Sequence, residues 1–361
     1  MKYVNEYRDP ELAVKLLERI RRRSRKHIRL MEFCGGHTVA IFKHGLRQLL
    51  PDNIEMLSGP GCPVCVTAAA DLDKAIALAH LPDTIVTSFG DMVRVPGSTS
   101  SLQQAKAEGA DIKVVYSTQD ALAIARDNPG KSVIFIGIGF ETTAPTVAAS
   151  ILQAASENIN NYYVLSLHKV CPPIMKALLD MGEVKIDGII CPGHVSSVIG
   201  SYPYQFIPDN YGIACAVSGF EPLDILLTVD MLVGQIEAGR PKIEIAYRRG
   251  VRPEGNPQAN RLMETVLELC DASWRGIGTV AGSGLKLKAE YKRFDADKAF
   301  DIDPGPTVEP AGCICGSILR GVSTPPECRL FGTACTPERP VGPCMVSSEG
   351  SCATYYQYQR E

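Results

Sequence analysis

Apolar residues fall into short runs along the chain, separated by stretches in which they recur at helical spacing. The runs predict β-strands at 28–33, 54–58, 84–89, 112–116, 132–138, 162–167, 188–191 and 213–217. Between them, segments such as 68–80 and 118–127 place an apolar residue every three or four positions, the period of a helix with one buried face. Strands alternating with helices predict parallel α/β sheets, two of them, with the break near 117–131. Ahead of the first strand, Leu12, Val14, Leu16, Leu17 and Ile20 mark a helix. It runs into a basic stretch, Arg21-Arg22-Arg23-Ser24-Arg25-Lys26, read as a solvated helix end. Beyond Arg240 the pattern decays: Pro and Gly recur, strands cannot be placed, and 301–310 reads as a linker.

Length and charge narrow the classes. A chain of 361 residues exceeds one ordinary core and implies two or three domains. A formal charge of -3 provides no electrostatic footprint for nucleic acid. No apolar stretch approaches the roughly 20 residues that span a bilayer, and the N-terminus carries no apolar signal region. The expectation is a cytoplasmic protein with neither nucleic-acid nor membrane partners. Its anomaly is 13 cysteines. A cytosol keeps thiols reduced, so this abundance favours metal or redox chemistry over structural disulfides.

The unusual residues follow the predicted strands. Cys34-Gly35-Gly36-His37 follows the first, Gly59-Pro60-Gly61-Cys62-Pro63-Val64-Cys65 the second, and Gly90-Asp91-Met92-Val93-Arg94 the third. Gly139-Phe140-Glu141-Thr142-Thr143 follows the fifth, and Cys191-Pro192-Gly193-His194 the seventh. Ligands of open α/β sheets bind beyond the carboxyl ends of the strands, so these loops predict a shared cleft. Cys62 and Cys65 form a Cys-x-x-Cys before a helix, an arrangement that lowers a thiol pKa and suits a redox pair; half a zinc knuckle or two inert cysteines are the competing readings. Cys34 is a soft ligand suited to iron. His37 is a second ligand, a proton donor or merely the first turn of the next helix. His194 repeats the Cys-x-x-His spacing with the same choice. Asp91 and Arg94 line the cleft or pair locally. Glu141, Thr142 and Thr143 bind a polar group or cap a helix, and Gly137-Ile138-Gly139 lacks the third glycine of a dinucleotide loop. Cys171, Cys215 and Cys270 read as buried apolar residues.

Six cysteines crowd the tail: Cys313, Cys315, Cys328, Cys335, Cys344 and Cys352, among Gly and Pro with little to form a core. Such a segment needs a staple. The last histidine is His194, so a metal held by the tail alone has thiolate ligands only. Four cysteines hold zinc or an iron–sulfur cluster. Wide, irregular spacing without Cys-x-x-Cys knuckles favours the cluster, with zinc and disulfides behind it.

Together and in this order, the motifs resemble the HypD family of nickel–iron hydrogenase maturation proteins. The match includes Phe33 to Thr38, Gly59 to Cys65, Phe89 to Gly97, Gly139 to Pro145 and Cys191 to Val195. The tail adds the Cys-x12-Cys-x6-Cys-x16-Cys spacing of Cys315, Cys328, Cys335 and Cys352. The resemblance implies two α/β domains plus an iron–sulfur domain. The segments expected are an N-terminal helix, 1–29, packing on the cluster domain, α/β domains at 30–120 and 121–240, and a cluster domain at 241–361. It further implies a [4Fe–4S] cluster on those four cysteines, and a transient iron with cyanide and carbonyl ligands held at Cys34. HypC and HypE are the implied partners, HypE as the source of cyanide. The other implied site residues are His37, Cys62, Cys65, Asp91, Arg94, Glu141 and His194, with Cys313 and Cys344 as a second dithiol. The function implied is a scaffold and electron-transfer factor for the Fe(CN)2CO centre, a metallocentre assembly factor more than a turnover enzyme. The alternatives are a cluster-dependent thiol–disulfide reductase, which leaves Cys34 idle, and a zinc protein.

Overall fold

The computed structural model describes residues 5–358. Its strands are β1 (Ile28–Glu32), β2 (Ile54–Ser58), β3 (Thr84–Ser88), β4 (Asp111–Val114), β5 (Ser132–Gly137), β6 (Tyr162–Ser166), β7 (Gly188–Pro192), β8 (Ala214–Ser218), β9 (Ile243–Ile245), β10 (Leu267–Trp274) and β11 (Gly278–Leu287). The first nine form two sheets in which every pairing is parallel, with orders β2-β1-β7-β8-β9 and β4-β3-β5-β6. The near-continuous burial of β3, β7 and β8 is what a parallel sheet covered on both faces requires.

The sheets do not divide the chain at 117–131, the break expected from the sequence. That stretch lies inside the second sheet, between β4 and β5, while β7, β8 and β9 return to pair beside β1. Strands β3 and β4 of the expected 30–120 unit therefore share a sheet with β5 and β6 of the expected 121–240 unit. Short apolar runs are interchangeable by pattern, and parallel pairing is settled by long-range contacts that local periodicity does not encode.

Alternation along the strands sorts the first sheet's faces. Leu30, Ile190, Ala214 and Ala216 face helices Pro10–Arg23 and Pro222–Ala238. Met31, Ile189, Cys191, Cys215 and Val217 face the opposite side, in a core that also contains Cys62, Cys65, Cys171, Cys315, Cys335, Cys344 and Cys352. These nine cysteines thus pack on one face of the first sheet.

Helix Pro10–Arg23 is capped by Asp9, whose side chain accepts from the Glu11 and Leu12 amides. It does not pack on the tail as expected. Its apolar side, Leu17 and Ile20, is buried against helix Pro222–Ala238, and Arg19 and Arg23 both pair with Asp230 of that helix. Helix Ser351–Tyr358 at the other end of the chain packs on helix Gly35–Lys43 instead.

The antiparallel hairpin of β10 and β11 escaped sequence reading because its strands alternate with charged residues, contain four glycines in β11's span and vicinity, and bulge between Cys270 and Ala272. Leu267, Leu285 and Leu287 enter the second sheet's core, whereas Trp274 and Val280 enter the cysteine core. The expected 241–361 unit is accordingly divided: β9 edges the first sheet, the hairpin clamps both sheets, and a cysteine-bearing tail lies beyond the irregular stretch at 301–310.

Candidate functional site

Each parallel sheet has one point where the chain leaves in opposite directions, and the crevice there is where α/β folds bind ligands. In the first sheet it lies between β1 and β7. Cys34 follows β1, at the N-cap of helix Gly35–Lys43, and His194 follows β7.

Cys34 is held by a buried acid. Its amide donates to Glu32 Oε2 at 2.9 Å, and Thr38 Oγ1 donates to the other carboxylate oxygen. Burial raises Glu32 to about 7. Burial also pushes the Cys34 thiol up, assisted by the charges of Glu349 and Glu32 and opposed by the Gly36 and His37 amides. The free protein therefore keeps Cys34 as a thiol.

The Cys62 loop lies directly on this one. The Gly35 amide donates to the Gly61 carbonyl at 3.2 Å, and a Cβ on Gly61 would sit 2.5 Å from Cys34 Cα. Because the obstacle is backbone, Gly61→Ala is expected to lower stability by roughly 1–3 kcal/mol, the usual cost of overpacking. An unchanged denaturation midpoint would contradict this contact. Cys62 and Cys65 form a disulfide on the short helix Pro63–Val66, and both are buried, 4% and 0% exposed. Cys65 Sγ lies 4.0 Å from the carbonyl oxygen of Pro343, the neighbour of Cys344.

The two Cys-x-x-His motifs converge on one ring. His37 and His194 both stack on Phe220, with centroids at 4.6 and 3.8 Å. Gly36 and Gly193 admit that ring, since a Cβ at either would meet it at 3.0 and 3.1 Å. His37 is buried, its Nε2 lies 3.3 Å from the Ser218 carbonyl, and its Nδ1 has no partner. Burial lowers it to about 4, so it is neutral.

Glu141 does not cap the helix that follows it, Ala144–Ser156, but the next one, Cys171–Met181. Its Oε1 accepts from the Cys171 amide at 2.9 Å, its Oε2 is buried without a partner, and burial raises it to about 7. Burial holds the Cys171 thiol well above its ordinary pKa, assisted by the nearby Glu141, Cys191 and Cys34. Asp91 and Arg94 reach the site through the tail: Arg94 Nη2 donates to the Val346 carbonyl at 3.0 Å, and the charge of Asp91 helps raise Glu349 after burial. Glu349 packs on Gly35, where a Cβ would lie 2.6 Å from its own.

All six tail cysteines line one cavity, walled by Ile318, Leu330, Phe331 and Met345. Cys315 Sγ is 2.7 Å from Cys344 Sγ, and hydrogen bonds with Cys313 and Cys344 drive the Cys315 thiol down and theirs up. The closest pair is thus Cys315 with Cys344, and Cys313 contacts Cys315. Among the described residues, no group of three or more His, Cys, Asp or Glu converges as for a single metal ion. No helix of these residues is long and apolar enough to cross a membrane.

Sequence reasoning missed Glu32, Cys171, Phe220 and Glu349. An acid at the end of a strand, two residues before the Cys34 motif, was a usable signal for Glu32. Phe220 and Glu349 had none, because tertiary folding alone brings them to Cys34.

Such a site, thiols and buried acids gathered at the carboxyl edge of a parallel sheet, defines a cysteine-centred α/β protein. Residues 11–359 match the HypD model, described as the hydrogenase formation hypA family. The chain is 48% identical to hydrogenase maturation factor HypD2 of Bradyrhizobium diazoefficiens, over 100% of this chain and 97% of that one. It is 45% identical to hydrogenase maturation factor HypD of Cupriavidus necator (100% and 98% covered) and 44% identical to that of Escherichia coli K12 (100% and 99%). The chain belongs to the HypD family of hydrogenase maturation factors.

Proposed function

We propose that this chain is the scaffold and electron-transfer factor on which the Fe(CN)2CO centre of nickel–iron hydrogenases is assembled, together with HypC and HypE. The observation that carries this reading is Cys34: a buried thiol at a sheet switch point, with the Cys62–Cys65 loop backed onto it.

Iron is the cargo, and Cys34 is this chain's ligand to it. Burial, Glu349 and Glu32 keep the free thiol protonated, whereas a bound cation reverses that balance and expels the proton. The Gly36 and His37 amides already hydrogen-bond the sulfur and favour the thiolate once iron arrives. Neutral His37, stacked on Phe220, adds no positive charge to the site.

Cys315, Cys328, Cys335 and Cys352 would hold a [4Fe–4S] cluster. The fit is in the donor set: buried thiols around one apolar-walled cavity, with no histidine or carboxylate in its lining. When bound, the cluster supplies one-electron transfer. The Cys62–Cys65 pair stores two electrons as a dithiol, and its contact with Pro343 sets it one residue from Cys344. A reductase of partner proteins needs an accessible sulfur. Burial of both cysteines favours internal exchange over that alternative.

Co-expression with HypC and anaerobic purification is expected to yield a complex of the two, with iron in excess of the cluster's. Failure of HypC to co-purify under those conditions contradicts the scaffold reading.

A further inference from the structure

The proposed mechanism leaves the buried cation Arg275 unused. Arg275 opens the turn between β10 and β11 and is 3% exposed. Its amide donates to the Val66 carbonyl at 2.9 Å, tying it to the helix that carries Cys62 and Cys65. The next residue, Gly276 (φ +68°), lies against Gly316, the neighbour of Cys315; a Cβ on Gly316 would be 2.7 Å from Gly276 Cα. Arg275 thus stands at the junction of the two cysteine centres, and it lines a cavity with Cys313, Cys315 and Pro343.

Its own partners do not satisfy it. Nη2 donates to the Pro96 carbonyl at 3.4 Å, but Nε and Nη1 are buried with no hydrogen-bond partner. Its ion-pair partner Glu309 lies 3.6 Å from Nε, with a side chain 53% exposed to screening water. A buried guanidinium with unmatched donors is costly unless negative charge lies beside it. Four thiolates around an iron–sulfur cluster are such a charge, and Arg275 already favours the thiolate of Cys315.

We propose that Arg275 is the counter-ion of the cysteine-held cluster and sets its reduction potential at the junction with the Cys62–Cys65 disulfide. This rests on the cluster reading above. Reduction adds one electron and no proton to the cluster, so its negative charge grows. A fixed cation nearby stabilises the reduced form more than the oxidised one, and Glu309 opposes it.

The test is a titration of the full-length protein with dithionite as electron donor, followed by visible absorbance and electron paramagnetic resonance. Arg275→Gln is expected to shift the cluster midpoint to more negative potential, and Arg275→Lys to hold it near that of the unaltered protein. Glu309→Gln is expected to shift it the other way. A full complement of iron and sulfide with an unmoved midpoint in Arg275→Gln overturns the proposal. If that variant loses its cluster, an unmoved midpoint in Glu309→Gln overturns it instead. Absence of iron and acid-labile sulfide from the unaltered protein overturns the cluster reading itself, and the proposal with it.

Discussion

Replacing Cys34 with alanine is expected to abolish loading of the iron–cyanide–carbonyl unit while leaving the fold and the tail cluster in place. The hydrogen bond that fixes this loop, from the Cys34 amide to Glu32, belongs to the backbone and survives the substitution. The residue is 7% exposed, and losing one sulfur costs about 1 kcal/mol, as is typical of a single substitution. The tail cysteines line a cavity that does not include Cys34, so their chemistry is untouched. Iron analysis and visible absorbance of the anaerobically purified variant separate the two centres. Loss of the cluster along with the cargo iron would contradict the two-site arrangement.

Cys328→Ala is expected to remove the visible absorbance of the cluster and loosen the tail around it. Before its final helix, Ser351–Tyr358, the tail has only short helical pieces, Cys315–Leu319, Pro325–Glu327 and Pro343–Met345, and its buried residues crowd around the cysteine cavity. A segment with so little core depends on its cross-link, as metal-stapled domains do. Its far end is anchored independently: Tyr355 packs on Phe42 at 4.4 Å and Arg47 donates to its hydroxyl. Limited proteolysis is therefore expected to cut within 312–341 and to spare helix Ser351–Tyr358. An unchanged spectrum would show that Cys328 is not a ligand.

The parallel α/β class was legible in the chain because apolar runs of strand length alternate with helical periods, and all eight strands read from them occur within a residue or two. Sheet membership was not. Nothing local to Ile28 or Gly188 announces that β1 and β7 become neighbours across more than a hundred residues. The motif loops were legible for the opposite reason. Cys, Gly and His at strand ends are chemically conspicuous, and the first sheet's switch point then sets the Cys34 and His194 loops side by side, with His37 and His194 on one ring. What surrounds them was hidden: Glu349 reaches Gly35 and Cys34 from the far end of the chain, and Phe220 reaches both histidines from the end of β8. Cys171 read as an inert core cysteine, yet its amide holds the buried Glu141. The hairpin was lost because its strands expose charged residues to solvent and bulge midway.

The most direct measurement is an infrared spectrum of the protein purified without oxygen from cells expressing the full set of maturation proteins. Cyanide and carbonyl stretches absorb where polypeptide is nearly transparent. Both bands are predicted in the unaltered protein, and neither in Cys34→Ala prepared the same way. A protein that carries its cluster yet shows no such bands, or a Cys34→Ala variant that retains them, would contradict the scaffold assignment.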